Sequence, residues 1–125
     1  MMARKAAQFN DVHTLSAIMA AKHPRDQKHY GRKVSPFNKE EWENIAQNVV
    51  FTGNLAKFTQ HLDLKKILLE ISGTTLVEAS PLDTIWGIGL NSWDPRAQDR
   101  EQWLGTNWLG EELTKVREYI LEKKL

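Results

Sequence analysis

Hydrophobic and polar positions recur along most of the chain with the period of an α-helix. Residues 1–9 are rich in helix formers and predict the last turns of a helix. Asn10 and Asp11 are typical cap residues and predict a second helix that ends near Lys22, before the His23–Pro24 pair. The predicted buried face of this helix consists of Val12, Leu15, Ile18 and Met19. Residues 24–36 are polar and basic, which predicts a short helical turn followed by a loop.

Three further helices are predicted, over about residues 38–58, 62–71 and 107–124. Asn38 followed three residues later by Glu41 is typical of a capping box and begins the first. Gly73 is placed to end the second, and Asn107 to cap the third.

One segment favours a β-strand, Thr74–Ala79, because it is short and β-branched. From Ser80 to Thr106 the periodicity gives way to Pro, Gly, Asp and Trp. A long irregular stretch in a compact domain is usually functional or disordered, and its tryptophans argue against disorder. The pattern therefore predicts a single domain over residues 1–125, of α+β class, mainly α-helical with a small β-sheet.

Composition narrows the function classes. The formal net charge is +1, from 17 Lys and Arg and 16 Asp and Glu, so no broad field attracts nucleic acid or an anionic membrane. Cysteine is absent, which excludes a thiolate nucleophile and a Cys-based zinc site. The histidines lack metal-ligand spacing, and there is no P-loop or dinucleotide fingerprint, so neither a metal nor a cofactor is predicted. No apolar window suits a membrane span or a signal peptide, and we expect a cytoplasmic protein.

The candidate chemistry lies in Leu76–Leu90. The predicted strand delivers Glu78 to its end, and Asp83 and Trp86 follow before the flexible Gly87. Two carboxylates beside an indole suit acid–base catalysis and stacking on a ring. The structural alternative is that Glu78 pairs with an arginine and that Asp83 caps the following turn.

This segment, LVEASPLDTIWGIGL, resembles the signature of the NADAR family, VEASP-x-D-x-x-WG-x-G. The later segment WLGTNWLGEELTKVR is similar to the family's WxGxNxLGxxLMxVR, with Thr114 in place of the methionine. MARKAAQF resembles its xxxKAxxF helix. Three further matches stand in the family's order: Gly31–Arg32 with Val34, Trp42, and Lys57–Phe58. The resemblance covers essentially the whole chain.

The resemblance implies an N-glycosidase, which hydrolyses the bond between C1′ of a ribose and a nitrogen base. Some members cleave phosphoribosylated pyrimidine intermediates of riboflavin biosynthesis and release ribose 5-phosphate, and others remove ADP-ribose from guanine. The implied partner is a small phosphoribosyl or ADP-ribosyl substrate. Nucleic acid enters only as an ADP-ribosylated substrate, and a membrane does not enter at all.

The family resemblance also implies the catalytic residues. Lys5 matches the lysine that captures C1′ of the ring-opened sugar as a Schiff base. Because only a neutral amine attacks, its pKa should be lowered by desolvation or by a neighbouring cation such as Arg4. Asp83, with Glu78 as second choice, would protonate the leaving nitrogen and later activate water.

The expected substrate-binding residues are Trp86, Trp42, Arg32, Gly87 and Asn107. Trp86 and Trp42 would flank the base or sugar, although Trp42 suits the core equally well. Asn107 would hydrogen-bond ribose hydroxyls or order the loop.

Arg32, with His29 and Lys33 close by, is the expected phosphate anchor, because a guanidinium binds phosphate through two hydrogen bonds. The alternative is that Arg32 ends a helix. Arg117 is expected to be a structural salt-bridge partner.

Full-length members of the family begin with a further segment that includes strands and a pocket glutamate, and we expect this sequence to lack it. Three functions therefore stay open. The chain is an active N-glycosidase, a non-catalytic module that binds a ribose phosphate or nucleotide, or an inactive fragment with only a fold or a partner interaction.

Overall fold

A computed structural model describes residues 1–125, the whole chain, as six α-helices joined by turns and irregular segments. The chain divides into two compact units, Met1–Val49 and Val50–Leu125. Helix α4 (Lys39–Gln60) contributes residues to both. None of the helices has the length and apolar character that crossing a membrane requires.

The first unit begins with three short helices: α1 (Met2–Gln8), α2 (Val12–Ala20) and α3 (Pro24–Gly31). Each packs against the other two. Asp11 begins α2 as predicted, because its carboxylate accepts a hydrogen bond from the backbone N–H of Thr14 at 3.0 Å.

The buried face of α2 is narrower than predicted. Ile18 is 3% exposed, but Val12 and Met19 are 70% and 71% exposed, so their predicted burial is wrong. Met19 lies about 100° around the helix from Ile18, since each residue turns an α-helix by that angle. That rotation is enough to bring Met19 out of the packed face.

The predicted start of α4 is confirmed. Asn38 Oδ1 accepts a hydrogen bond from the Glu41 N–H at 2.8 Å. The Glu41 carboxylate does not complete a capping box, because it accepts a hydrogen bond from Gln8 Nε2 at 2.9 Å. One turn apart on the same face, Trp42 and Ala46 are 7% and 1% exposed.

The core of the second unit lies between α5 (Leu62–Glu70) and α6 (Trp108–Lys123), whose bounds confirm the predicted helices to within a residue or so. Leu68, Val116 and Ile120 are at most 4% exposed and form its centre. The side chains packed around them are Phe51, Leu55, Phe58, Leu69 and Leu76.

The predicted irregular stretch is also confirmed. It consists of turns and two short 3₁₀-helices, Pro95–Gln98 and Arg100–Gln102. Each begins at an aspartate, Asp94 or Asp99, whose carboxylate accepts a backbone N–H two residues on.

No β-strand forms, and the predicted small β-sheet is wrong. Residues 75–80 belong to neither a helix nor a strand. The side chain of Asn107 takes the place of a partner strand: its Nδ2 donates to the Leu76 carbonyl and its Oδ1 accepts from the Glu78 N–H, both at 2.9 Å. β-Branched residues favour an extended backbone, but a β-ladder needs a second extended backbone beside it, which this chain does not bring there.

Arg117 binds the start of the same segment. It is 2% exposed and donates to the carbonyls of Ile71 at 2.9 Å and Thr74 at 2.7 Å. Its Nε also pairs with the Glu118 carboxylate at 3.1 Å, so the predicted structural salt bridge is confirmed. Its two bonds to carbonyls, however, are what tie the chain after α5 to α6.

Candidate functional site

In the second unit, the segment with the two candidate carboxylates is bound along the loop that precedes α6. Five backbone hydrogen bonds join the two segments. They run from N–H to carbonyl in the pairs Leu104 to Ile88, Thr106 to Thr84, Asn107 to Gly87, Trp108 to Ile85 and Leu109 to Trp86. Gly105 allows this approach, because a Cβ there would overlap the Gly87 carbonyl and lie 2.7 Å from Thr84 Cα. The backbone around the carboxylates is therefore held in one conformation by its own hydrogen bonds.

Asp83 shapes the turn that carries it. Its Oδ1 accepts hydrogen bonds from the N–H groups of Ile85 at 3.0 Å and Trp86 at 2.8 Å. The turn-capping alternative is therefore present in the structure, but it uses one carboxylate oxygen. Oδ2 has no protein donor and the side chain is partly exposed, so this oxygen remains available to exchange a proton with a ligand.

Glu78 is partly buried and forms no ion pair, so the arginine partner of the structural alternative is not found. Its backbone is held on both sides. The N–H donates to Asn107 Oδ1, and the carbonyl accepts from Ser80 at 3.1 Å and Ile88 at 2.9 Å. A carboxylate without a partner on a fixed backbone suits proton transfer.

Gly87 brings the backbones of the two acidic residues together. A Cβ at this position would lie 2.9 Å from the carbonyl oxygens of both Asp83 and Glu78, and 3.3 Å from Glu78 Cγ. The absence of a side chain at Gly87 therefore lets these two backbones approach each other. Gly87 is also buried, whereas its neighbourhood in the sequence predicts a flexible glycine. The structure places Glu78, Asp83 and Gly87 in one cluster.

Asn107 is fully buried and has a left-handed backbone with φ of 55°. It occupies the N-cap position of α6, but its side chain does not cap the helix, so that part of the prediction is wrong. The reason is that both polar atoms of the amide are engaged with Leu76 and Glu78. Of the two roles expected for Asn107, binding ribose hydroxyls and ordering the loop, these hydrogen bonds correspond to the second.

Trp86 lies in the turn that Asp83 caps, because its backbone N–H donates to the Asp83 carboxylate. Its ring is partly exposed and meets the ring of Trp108 edge-to-face, with centroids 5.4 Å apart and planes at 85°. Trp108 directly follows the N-cap residue of α6. The pair presents an aromatic surface of the kind that stacks on a base.

In the first unit, Lys5 lies on α1 with its Nζ 4.5 Å from the centroid of the Phe37 ring. Burial lowers the pKa of Lys5, and the positive charge of Arg32 lowers it further. The predicted direction is confirmed, but the cation responsible is Arg32 and not Arg4, whose guanidinium donates to Gln8 at 2.8 Å. Lys5 has no ion-pair partner.

Arg32 has the helix-ending role that was one of the two considered for it. Its backbone ends α3, with the N–H donating to the Lys28 carbonyl at 3.1 Å. Its guanidinium is exposed and unpaired, and His29 and Lys33 nearby in the chain are exposed too. The structure therefore brings Arg32 to Lys5, and both keep groups free to bind a ligand.

Trp42 is 7% exposed, which favours the core alternative over contact with a substrate. Phe37, which the sequence did not single out, is 45% exposed and lies against Lys5. The only signal for it is a lone aromatic residue in the polar segment that precedes α4. No three His, Asp or Glu side chains lie close enough together to hold a metal ion.

Comparison with known proteins identifies the family. The family model of the NADAR domain matches residues 1–121. Protein irg-1 of Caenorhabditis elegans is 42% identical over 95% of this chain, which spans 57% of that protein's length. N-glycosidase R617 of Acanthamoeba polyphaga mimivirus is 42% identical over 94% of the chain and 69% of its own length. The chloroplastic riboflavin biosynthesis protein PYRR of Arabidopsis thaliana is 34% identical over 70% of the chain and 13% of its own length. This chain therefore belongs to the NADAR family.

Proposed function

We propose that the chain is an N-glycosidase that hydrolyses the bond between C1′ of a ribose 5-phosphate unit and a nitrogen base. The relative named N-glycosidase supports the activity, and the one named riboflavin biosynthesis protein supports a substrate from riboflavin biosynthesis. For such a substrate, the family resemblance implies a phosphoribosylated pyrimidine. The observation that carries the proposal is Lys5. It combines a lowered pKa, a free amine without a carboxylate partner and a neighbouring guanidinium.

Lys5 is the proposed nucleophile. The ribose ring opens first: the C1′–O4′ bond breaks, O4′ gains a proton, and the base nitrogen forms a double bond to C1′. The neutral Lys5 amine then adds to C1′ and loses a proton. The base nitrogen gains a proton and departs, which leaves a Schiff base between C1′ and Nζ.

Asp83 is the proposed acid and base, with Glu78 as the second choice. It gives a proton to the departing nitrogen and takes one from the water that adds to C1′. The C1′–Nζ bond then breaks, the sugar leaves as ribose 5-phosphate, and the amine is restored. One water is consumed for each bond cleaved.

Arg32 is the proposed phosphate anchor, because its guanidinium is exposed and unpaired. Trp86 is proposed to stack on the base, supported edge-on by Trp108. For Asn107 and Gly87 we propose an indirect part in binding, through the backbone that carries the carboxylates.

The first experiment incubates the 125-residue chain with a phosphoribosylaminopyrimidine and measures free ribose 5-phosphate. A parallel sample contains ADP-ribosylated guanine. Release of ribose 5-phosphate supports the proposal, and release of ADP-ribose from the second sample alone replaces the proposed substrate class. If the folded chain binds the first compound but cleaves neither, the chain is a binding module.

Lys5→Met should abolish both turnover and the adduct that borohydride traps with ribose 5-phosphate, because no other group is proposed to bond C1′. The matched control is Lys66→Met, which removes an exposed lysine with only a surface partner, Glu70, at 3.9 Å. The adduct is measured by mass and mapped by peptide analysis. Full activity in the Lys5 variant would exclude the Schiff base.

A further inference from the structure

The amine of Lys5 lies over an aromatic ring. Its Nζ lies 4.5 Å from the centroid of Phe37, inside the distance at which a cation is attracted to the face of a ring. The attraction acts on the ammonium form and hardly on the neutral amine. Phe37 therefore opposes the two influences that favour the neutral form, burial and Arg32.

The ring that faces Lys5 is itself fixed. Phe37 meets Phe9 edge-to-face, with centroids 5.3 Å apart and planes at 68°. Phe9 is 8% exposed and belongs to the packed part of the first unit, whereas Phe37 is 45% exposed. The Phe37 ring is thus held by a core residue while part of it reaches the surface.

No carboxylate competes with the ring for Lys5. Asp11, at the start of α2, is engaged with the N–H groups of Thr14 and Ser35. Glu41, in the first turn of α4, accepts from Gln8.

Several charged and titratable groups lie on α1 and on the elements around it. The α1 helix itself carries the N-terminal amine and Arg4, α2 carries Asp11 and His13, the end of α3 carries Lys28, His29, Arg32 and Lys33, and α4 begins with Lys39, Glu40 and Glu41. Of these, Arg32 is the one whose charge shifts the pKa of Lys5.

We propose that Phe37 is a positioning residue for Lys5, which holds the amine over its ring and sets how much of it is neutral. The proposal rests on the proposed function of Lys5 as the amine that captures C1′. A ring face suits this task because it takes up no N–H of the amine, whereas a carboxylate would hold the ammonium in an ion pair. The ring therefore places the ammonium, and the lone pair that appears when the proton is lost is not engaged by the ring.

The direct test measures the protonation of Lys5 without any substrate. The full chain is acetylated with acetic anhydride over a range of pH, and the labelling of each lysine is mapped by peptide mass analysis. The labelling of Lys5 is divided by its own plateau at high pH, which removes differences in access. Lys57, whose Nζ lies 5.5 Å from the Phe58 ring, is the internal reference.

Phe37→Leu should raise the normalised labelling of Lys5 at neutral pH about two- to fivefold, because the ammonium loses the stabilisation that a partly exposed ring provides. The acidic limb of the profile moves to lower pH. Phe37→Trp should restore or reverse the change, since indole binds a cation better than phenyl. Arg32→Gln should move the limb the opposite way, because it removes a neighbouring positive charge.

Lys57 labelling should be the same in all these variants. Phe37 is 45% exposed, so its replacement by leucine should leave the far-ultraviolet circular dichroism unchanged, which is checked in the same samples. Unchanged Lys5 labelling in folded Phe37→Leu, or equal labelling in the leucine and tryptophan variants, would overturn the proposal.

The labelling result and the turnover result separate the two proposals. If Lys5→Met keeps full turnover, the proposed function fails while the labelling still reports the contact with Phe37. If Lys5 is essential, Phe37→Leu should lower kcat about ten- to a hundredfold with KM little changed, because the loss from a misplaced nucleophile outweighs the gain in neutral amine and the substrate contacts are kept. A rise in KM alone would assign Phe37 to binding instead.

Discussion

Single side chains in this protein divide between chemistry and support. Asp83 does both, since Oδ1 holds two N–H groups of its turn and Oδ2 stays free. Asn107 is committed to support, because a fully buried amide that bonds Leu76 and Glu78 fixes the backbone of a carboxylate. Residue type alone does not distinguish these roles, but the partners of each polar atom do.

Asp83→Asn should lower kcat by about a hundred- to ten-thousandfold, the usual contribution of a general acid–base, with KM little changed. Asparagine keeps the Oδ1 acceptor for the N–H groups of Ile85 and Trp86, so the turn should survive. Asp94→Asn is the matched control, because Asp94 Oδ1 accepts the Arg96 N–H in a similar turn. Steady-state kinetics measure both. An equal loss in the two variants, or a change confined to KM, would argue against proton transfer by Asp83.

Arg32→Gln should raise KM, because a phosphate anchor binds the ground state and the transition state alike. It should also lower kcat near neutral pH, because without this positive charge less of the Lys5 amine is neutral. Arg25→Gln, which removes another exposed arginine of α3, should change neither. The comparison uses a substrate with and without its 5′-phosphate. If Arg32→Gln weakens both substrates equally, the guanidinium does not bind the phosphate.

At the scale of elements, the chain between α5 and the irregular stretch depends on α6. The guanidinium of Arg117 holds the carbonyls of Ile71 and Thr74, and Asn107 holds the next part of the segment. Gly110 leaves room for this arrangement, since a Cβ there would overlap the Leu76 carbonyl and the Asn107 amide. One helix thereby orders a segment that has no strand beside it.

Asn107→Gly should lower the free energy of unfolding by roughly 2–4 kcal/mol, because the Leu76 carbonyl and the Glu78 N–H lose their buried partners. Glycine tolerates the left-handed backbone, so the variant isolates the side chain from backbone strain. Urea denaturation measures the change against Asn91→Gly, which removes a partly exposed amide with no side-chain hydrogen bond. A loss no greater than that of the control would mean that the amide does not hold the segment.

At the scale of the whole molecule, each compact unit carries one carboxylate with a lowered pKa. Hydrogen bonds from Thr14 and Ser35 lower the pKa of Asp11 in the first unit. Hydrogen bonds from Arg96, with its positive charge, lower that of Asp94 in the second. Each group binds its proton more weakly when folded than when unfolded, so each stabilises the folded state only while it is ionised.

The stability that these two groups contribute should be fully present above pH 3.8, their ordinary pKa, and lost as the pH falls through the lower folded values. Urea denaturation between pH 2 and pH 6 tests this in the wild type and in Asp11→Asn, Asp94→Asn and the double variant. The double variant should depend less on pH in the acidic range, because asparagine does not titrate. An acid dependence identical to that of the wild type would show that neither carboxylate contributes.

The sequence determined the helices and most of their ends, because helical periodicity and cap residues such as Asp11 and Asn38 act over a few neighbouring positions. It also singled out Glu78, Asp83 and Trp86, which a short turn brings together. These features depend on local contacts.

Only the tertiary structure decided the features that depend on distant partners. Residues 74–79 have the composition of a strand, but whether an extended segment joins a sheet depends on what lies beside it, and here that is the side chain of Asn107. The same holds for the exposure of Val12 and Met19, for the role of Arg32 in place of Arg4, and for Phe37 under Lys5. Each is set by residues far away in the chain, which a local pattern does not record.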